Sequence, residues 1–324
     1  MVNKGKASVS KLSSAIIPRV VVVTRETEYE MLLARHATRG QAEFFLQERG
    51  QTINEIELRH GRFNAALHKV LAAIPTDWRR NHIQRNELDR FLFEPEDLVI
   101  AVGQDGLVAN TAKYLTGQRV MGVNPDREFY DGVLVPFSSD EASELIKPAM
   151  LGDIELQLRT MVQAQLDDGQ SLFALNELFI GHRSHQSARY RISTSKGEEF
   201  HSSSGVIVTT GTGATGWAKS IHQERHDKLV LPKPEDDELA FYVREAFPSM
   251  ATGTRLTSGL INASDQLEIR SENNEGGVIF GDGIEADFLE FNWGMNARFK
   301  IASQKLAMVK PQSVVTDETL SVMA

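Results

Sequence analysis

Two hydrophobic rhythms divide the chain. Over roughly the first 150 residues, unbroken apolar runs alternate with stretches of helical spacing, whereas later segments are short, alternate apolar with polar positions, and end at turns. Residues 19–24 (Arg-Val-Val-Val-Val-Thr) are the β-branched run expected of a strand buried on both faces of a parallel sheet. Helical spacing follows at 28–48, through Leu32, Leu33, Phe44 and Phe45, and at 62–73, through Ala65, Leu67, Val70 and Leu71. A second strand is predicted at 98–102, a helix at 108–115, a third strand at 119–123, and an acid-headed helix at 140–150. This β, α, β, α, β order predicts an α/β N-terminal domain with an open parallel sheet over residues 18–150, preceded by a basic tail at 1–17.

From residue 151 the segments 155–163, 174–180, 188–193, 206–209, 267–270, 278–280 and 299–302 read as turn-bounded strands. They predict a C-terminal, predominantly antiparallel β domain over 151–324, its last segment a candidate to return to the first domain. The proline-rich acidic stretch at 232–237 is expected to be a surface connection. No internal repeat interrupts this order.

Composition narrows the function classes. Hydrophobic residues at 41% and charged residues at 24% are ordinary for a soluble globular protein. A net charge of −9 without a basic run gives no nucleic-acid face. With 0 cysteines, disulfides, thiolate metal sites and cysteine nucleophiles are excluded, and a reducing compartment fits best. No apolar run reaches the length of a membrane helix, so no membrane partner is expected. Lys4, Lys6, Lys11, Arg19 and Arg25, without a single acid among them, read as a short basic tail, with a transit peptide as the other reading.

Three segments carry candidate chemistry. The run from Val208 to Trp217 (Val-Thr-Thr-Gly-Thr-Gly-Ala-Thr-Gly-Trp) has little side-chain bulk, so its N–H and hydroxyl groups are free to meet a nucleotide; a tight strand-to-helix turn with glycines for packing is the alternative. Gly103-Gln104-Asp105-Gly106 follows a buried strand, where open sheets bind ligands. Asp105 there suits a proton acceptor or a metal-holding carboxylate, although Asp-Gly turns are also common for geometric reasons, and the lysine of a P-loop is missing. Asn176 and Glu177 interrupt the apolar strand 173–180; an amide beside a carboxylate grips a diol or ribose, or else marks a solvated strand edge. His222, Glu224 and His226 lack the metalloprotease spacing and read as a solvated helix face, and His182 and His185 as turn residues.

In their order these pieces resemble the NAD kinase family, within the superfamily of diacylglycerol and sphingosine kinases. That family has a Gly-Gly-Asp-Gly-Thr turn, an Asn-Glu pair, and Asp-Gly leading into Thr-Pro-Thr-Gly-Ser-Thr-Ala-Tyr. The counterparts are residues 103–107, Asn176 with Glu177, and Ser204 with Gly205 leading into residues 210–217; Gly281-Asp282-Gly283 resembles a late Asp-Gly turn. Gln104, Leu107, Ser204 and Trp217 depart from the pattern, and the Ser-Ser-Gly and Thr-Gly-Thr-Gly runs look closer to the mitochondrial-type branch.

The resemblance implies transfer of the γ-phosphoryl of ATP to the 2′-hydroxyl of the adenosine ribose of NAD. Asp105 would be the base or hydroxyl-orienting group, and Asn176 and Glu177 would hold a ribose. Thr212, Thr215, Gly216 and Trp217 would line the adenosine pocket, with Gly103, Gly106, Ser204, Thr210, Gly213, Asp282 and Gly283 completing the substrate surface. Mg²⁺ would arrive with the nucleotide rather than in a protein metal site. A homodimer or homotetramer is implied, in the cytoplasm, or in the mitochondrial matrix of a eukaryote. Two alternatives stand beside this: a superfamily kinase with a lipid or sugar acceptor, and a nucleotide-binding relative with little activity.

Overall fold

The computed structural model describes residues 17–129 and 131–311. Apart from Ile17, the expected basic tail lies outside the described residues. The first part runs β1 (Arg19–Thr24), α1 (Glu28–His36), α2 (Arg39–Gln47), α3 (Ile53–Ala73), β2 (Arg79–Gln84), β3 (Leu98–Val102), α4 (Asp105–Ala112), β4 (Arg119–Val123) and α5 (Ser139–Leu151). These strands are parallel in the order β2-β1-β3-β4. Alternate residues of β1 serve opposite cores: Val21 and Val23 face α4, while Val20 and Val22 face α3 and α5. Such two-sided burial is why this strand is apolar without alternation.

The second part continues β5 (Leu156–Leu166), β6 (Ser171–Ala174), β7 (Glu177–His182), β8 (Ala188–Thr194), β9 (Gly197–Ser203), β10 (Gly205–Thr209), α6 (Trp217–Arg225), β11 (Glu238–Arg244), β12 (Ser258–Asn262), β13 (Leu267–Ser271), β14 (Gly277–Gly281), β15 (Phe288–Glu290) and β16 (Asn296–Val309). One sheet, β12-β11-β10-β7-β14-β15, is antiparallel. It packs against β5, β6, β8, β13 and β16 around a core that includes Ile180, Tyr190, Val208, Phe241 and Phe299. β16 joins the two parts: its first half pairs antiparallel with β13, β5 pairs antiparallel along both its halves with a register shift between Ile301 and Lys305, and Ala307 and Met308 pair parallel with β4.

Several expected elements differ. The single helix at 28–48 is two, broken at Ala37 (φ 62°) and restarted by Thr38, whose hydroxyl accepts the Gln41 N–H. α3 begins nine residues before the expected residue 62, because Ile53 and Ile56 pack on Ala42 and Leu46 once α2 folds back. α4 begins at Asp105, not at 108. β2 (Arg-Arg-Asn-His-Ile-Gln) has no apolar rhythm, and edge pairing with β1 makes it a strand. The expected strand 173–180 is two: β6 belongs to the first sheet and β7 to the second, so the chain changes sheets at Leu175 and Asn176.

Candidate active site

The first half of the site is the turn from β3 into α4. Gly103 donates its N–H to the Val123 carbonyl (2.9 Å), and Asp105 opens the helix. The Asp105 carboxylate accepts backbone N–H groups from Val133 (3.1 Å), Leu134 (2.8 Å) and Val135 (3.2 Å). That segment crosses so close to β4 that a Cβ on Gly122 would stand 1.8 Å from the Leu134 carbonyl oxygen. A carboxylate offers about four lone-pair directions, so one remains for another donor. Gly106 is exposed, with open space where a Cβ would lie. The Gln104 side chain turns toward β1 and accepts from Arg25 Nη2 (2.6 Å), while Leu107 is buried against Val99 and Ala101.

The second half is the corner where the chain changes sheets. Asp282, at a left-handed φ of 54°, accepts the N–H groups of Leu175 (3.0 Å) and Asn176 (2.7 Å) and donates its own N–H to the Glu177 carbonyl (3.1 Å). Thr210 ties the glycine-rich turn to this corner: its N–H reaches the Asn176 carbonyl (2.9 Å) and its hydroxyl the Leu175 carbonyl (2.5 Å). The same hydroxyl accepts from the N–H groups of Thr212 (3.1 Å) and Gly213 (3.3 Å). Two of the turn's glycines answer to the protein's own backbone. A Cβ on Gly213 would stand 2.2 Å from the Asn176 carbonyl oxygen, and one on Gly211 1.9 Å from that of Lys233. Gly216 and Thr215 lie at the exposed end of the turn.

Electrostatics bind the halves together. Burial pushes the Glu177 carboxyl up to about 7, with the nearby Asp282 charge adding to the shift, and this carboxyl makes no hydrogen bond among the described residues. Burial likewise raises Asp282, against its backbone donors and the charge of Lys113. From α4, Lys113 Nζ donates to the Gly281 carbonyl (2.8 Å) and stands 3.6 Å from Asp287. From β5, the buried Arg159 donates through Nε to Gln157 Oε1 (3.1 Å) and through Nη1 to the Thr212 hydroxyl (3.3 Å). Its burial weakens its hold on its proton, opposed by the charges of Asp105 and Glu235. Neither cation is among the residues expected from sequence. The available signal for Arg159 was a lone charge in an otherwise uncharged strand, Leu-Gln-Leu-Arg-Thr-Met-Val-Gln-Ala-Gln-Leu.

The remaining expected residues border this corner or stand apart from it. Trp217 opens α6 on the outer face of the antiparallel sheet, stacked on Phe179 (6.1 Å) beneath the Arg244 guanidinium (4.7 Å), at the edge of a cavity of about 430 Å³. Ser204 is exposed between β9 and β10, at the opposite end of β10 from Thr209 and, at strand rise, roughly 20 Å from Thr210. Gly283 is exposed beyond Asp282. His182 ends β7 and accepts the Ser184 N–H (3.1 Å), so it belongs to a strand rather than the expected turn. His222 packs its Nδ1 3.3 Å from the Tyr242 hydroxyl and so is not simply solvated. Among the described residues no three His, Cys, Asp or Glu converge as metal ligands, and no helix is long and apolar enough to cross a membrane.

No protein-family model matches the chain. It is 28% identical over 173 residues to an NAD kinase of Halorhodospira halophila, covering 49% of this chain and 56% of that protein. Against an NAD kinase of Heliobacterium modesticaldum it is 30% identical over 150 residues, 42% of this chain and 52% of that protein. The chain thus spans about half the length of these curated relatives. Its fold is similar to that of an Archaeoglobus fulgidus NAD kinase solved in complex with ATP, with a TM-score of 0.55 and 16% identity over 91% of this chain and 94% of that one. Over about half of its length in sequence, and over most of it in fold, this chain is similar to NAD kinases.

Proposed function

We propose that the chain is an ATP-dependent NAD kinase, moving the γ-phosphoryl of ATP to the 2′-hydroxyl of the adenosine ribose of NAD. The observation that carries this reading is the meeting of the Asp105 turn with the Asn176–Thr210 corner across Arg159 and Lys113. Phosphoryl transfer needs mainly positioning and charge stabilisation. The three backbone donors hold the Asp105 carboxylate still, and its remaining lone pair orients the acceptor hydroxyl and accepts its proton. Asn176 and Glu177 grip the ribose, and the start of α4 at the exposed Gly106 meets phosphate.

Glu177 is a second candidate for the proton, because a carboxyl raised to about 7, without a hydrogen-bonded partner among the described residues, is matched to base chemistry near neutral pH. The donor set fits Mg²⁺ carried in by the nucleotide: no protein cage converges among the described residues, Asp105 has three lone-pair directions occupied, and Mg²⁺ suits substrate phosphates. When bound it neutralises phosphate charge.

Ser204 lies exposed at the far end of β10 from the corner, a placement that suits a homodimer or homotetramer whose neighbouring copy completes the site. A cytoplasmic enzyme, or a matrix enzyme in a eukaryote, is consistent with the absence of cysteine. Purified protein with ATP, Mg²⁺ and NAD should form NADP, and Asp105→Asn should slow it by about 10²–10⁴-fold. Wild-type protein that binds NAD without turnover would leave a binding-only relative, and turnover of a lipid or sugar instead would move the acceptor.

A further inference from the structure

Arg159 is the one site cation whose burial the fold does not explain. It is 6% exposed, yet it stands in no ion pair among the described residues, whereas Arg19 meets Asp97 at 2.6 Å and Lys113 meets Asp287 at 3.6 Å. Among the described residues its hydrogen bonds go to two neutral groups, Gln157 Oε1 and the Thr212 hydroxyl, and its Nη2 makes none. Nη2 is not among the buried atoms left without a partner, so the spare donors of this otherwise buried guanidinium open to solvent, where a ligand can meet them. Its surroundings are held in place: the Thr160 N–H donates to the Pro234 carbonyl (2.9 Å), and Gln157 Nε2 donates to Glu235 (3.3 Å), so the acidic connection packs over β5.

Two observations say what the spare donors are for. The guanidinium reaches the glycine-rich turn at Thr212, which Thr210 fixes to the Asn176 corner, and its electrostatic neighbours include Asp105 on the other half of the site. A planar fork of N–H donors matches phosphate oxygens better than any other side chain does. We infer that Arg159 is a phosphoryl-binding residue of the transfer, gripping the moving phosphoryl between Asp105 and Thr212. This rests on the kinase reading above. It also accounts for the lack of a carboxylate partner, since a permanent one would compete with phosphate.

Arg159→Met and Arg159→Lys test it in the full chain. A buried charge without an ion pair carries its desolvation cost uncompensated, and Met removes that cost while keeping much of the apolar stem, so Arg159→Met should melt at or above the wild-type temperature. Its rate of NADP formation should nevertheless fall about 100-fold or more, with the KM for NAD within about threefold, and added guanidinium should restore part of the rate. Arg159→Lys, a point charge without the fork, should lie between. A Met variant within about threefold of the wild-type rate would overturn the assignment, as would a Lys variant that restores full activity to a protein the Met change has merely unfolded. If wild-type protein forms no NADP, the kinase reading fails separately. Inorganic tripolyphosphate then decides: raising the melting temperature of wild type but not of Arg159→Met supports the anion site, and equal shifts sink it.

Discussion

Glu177 shows how much one side chain's surroundings matter. Its carboxyl titrates about 7 when folded against an ordinary 4.5, so between those values the folded state holds a proton the unfolded state has lost. Stability contributed by this group therefore falls as pH rises through that window and is lowest above it. Glu177→Gln should raise stability at pH 8 by on the order of 2 kcal/mol and leave it unchanged near pH 4, as denaturant titrations at the two pH values would show. A gain that persists at low pH would mean another cause. Gln104 and Leu107 depart from the family's turn; the structure turns Gln104 to Arg25 and buries Leu107 in the core. Side-chain direction of this kind depends on which distant residue is nearby, and a motif does not state it.

At the scale of elements, glycines that look alike in sequence divide by what faces them. Gly106 lies in the first turn of α4 with open space around it, and Gly213 faces the Asn176 carbonyl. Gly106→Ala should change stability by no more than about 1 kcal/mol, in the stabilising direction, so that any fall in activity reports ligand approach. Gly213→Ala should cost about 1–3 kcal/mol or more by thermal unfolding, with or without ligand, and no loss would refute the close approach. β1, β3 and β4 were legible within their limits because burial on both faces leaves an unbroken apolar run. The break at Asn176 was not, since Asp282, more than a hundred residues later, holds it.

For the whole molecule, the site's outlying members set the prediction. Ser204 lies at the far end of β10 from the corner in one chain, so the active species should be at least twice the 36.1 kDa chain mass by light scattering. A monomer that still forms NADP would show that one chain suffices. By itself the sequence determined the strand and helix alternation, the change to short antiparallel segments, the absence of cysteine chemistry, and the order of motifs that resembles the NAD kinases. Local spacing and residue type carry all of these. Only the tertiary structure decided that Thr210, Asp282 and Lys113 build one corner, that Gly211 and Gly213 serve packing, and that Arg159 lies between the two halves. Each depends on contacts between segments far apart in the chain, brought together when β16 joins the parallel strands to the antiparallel ones.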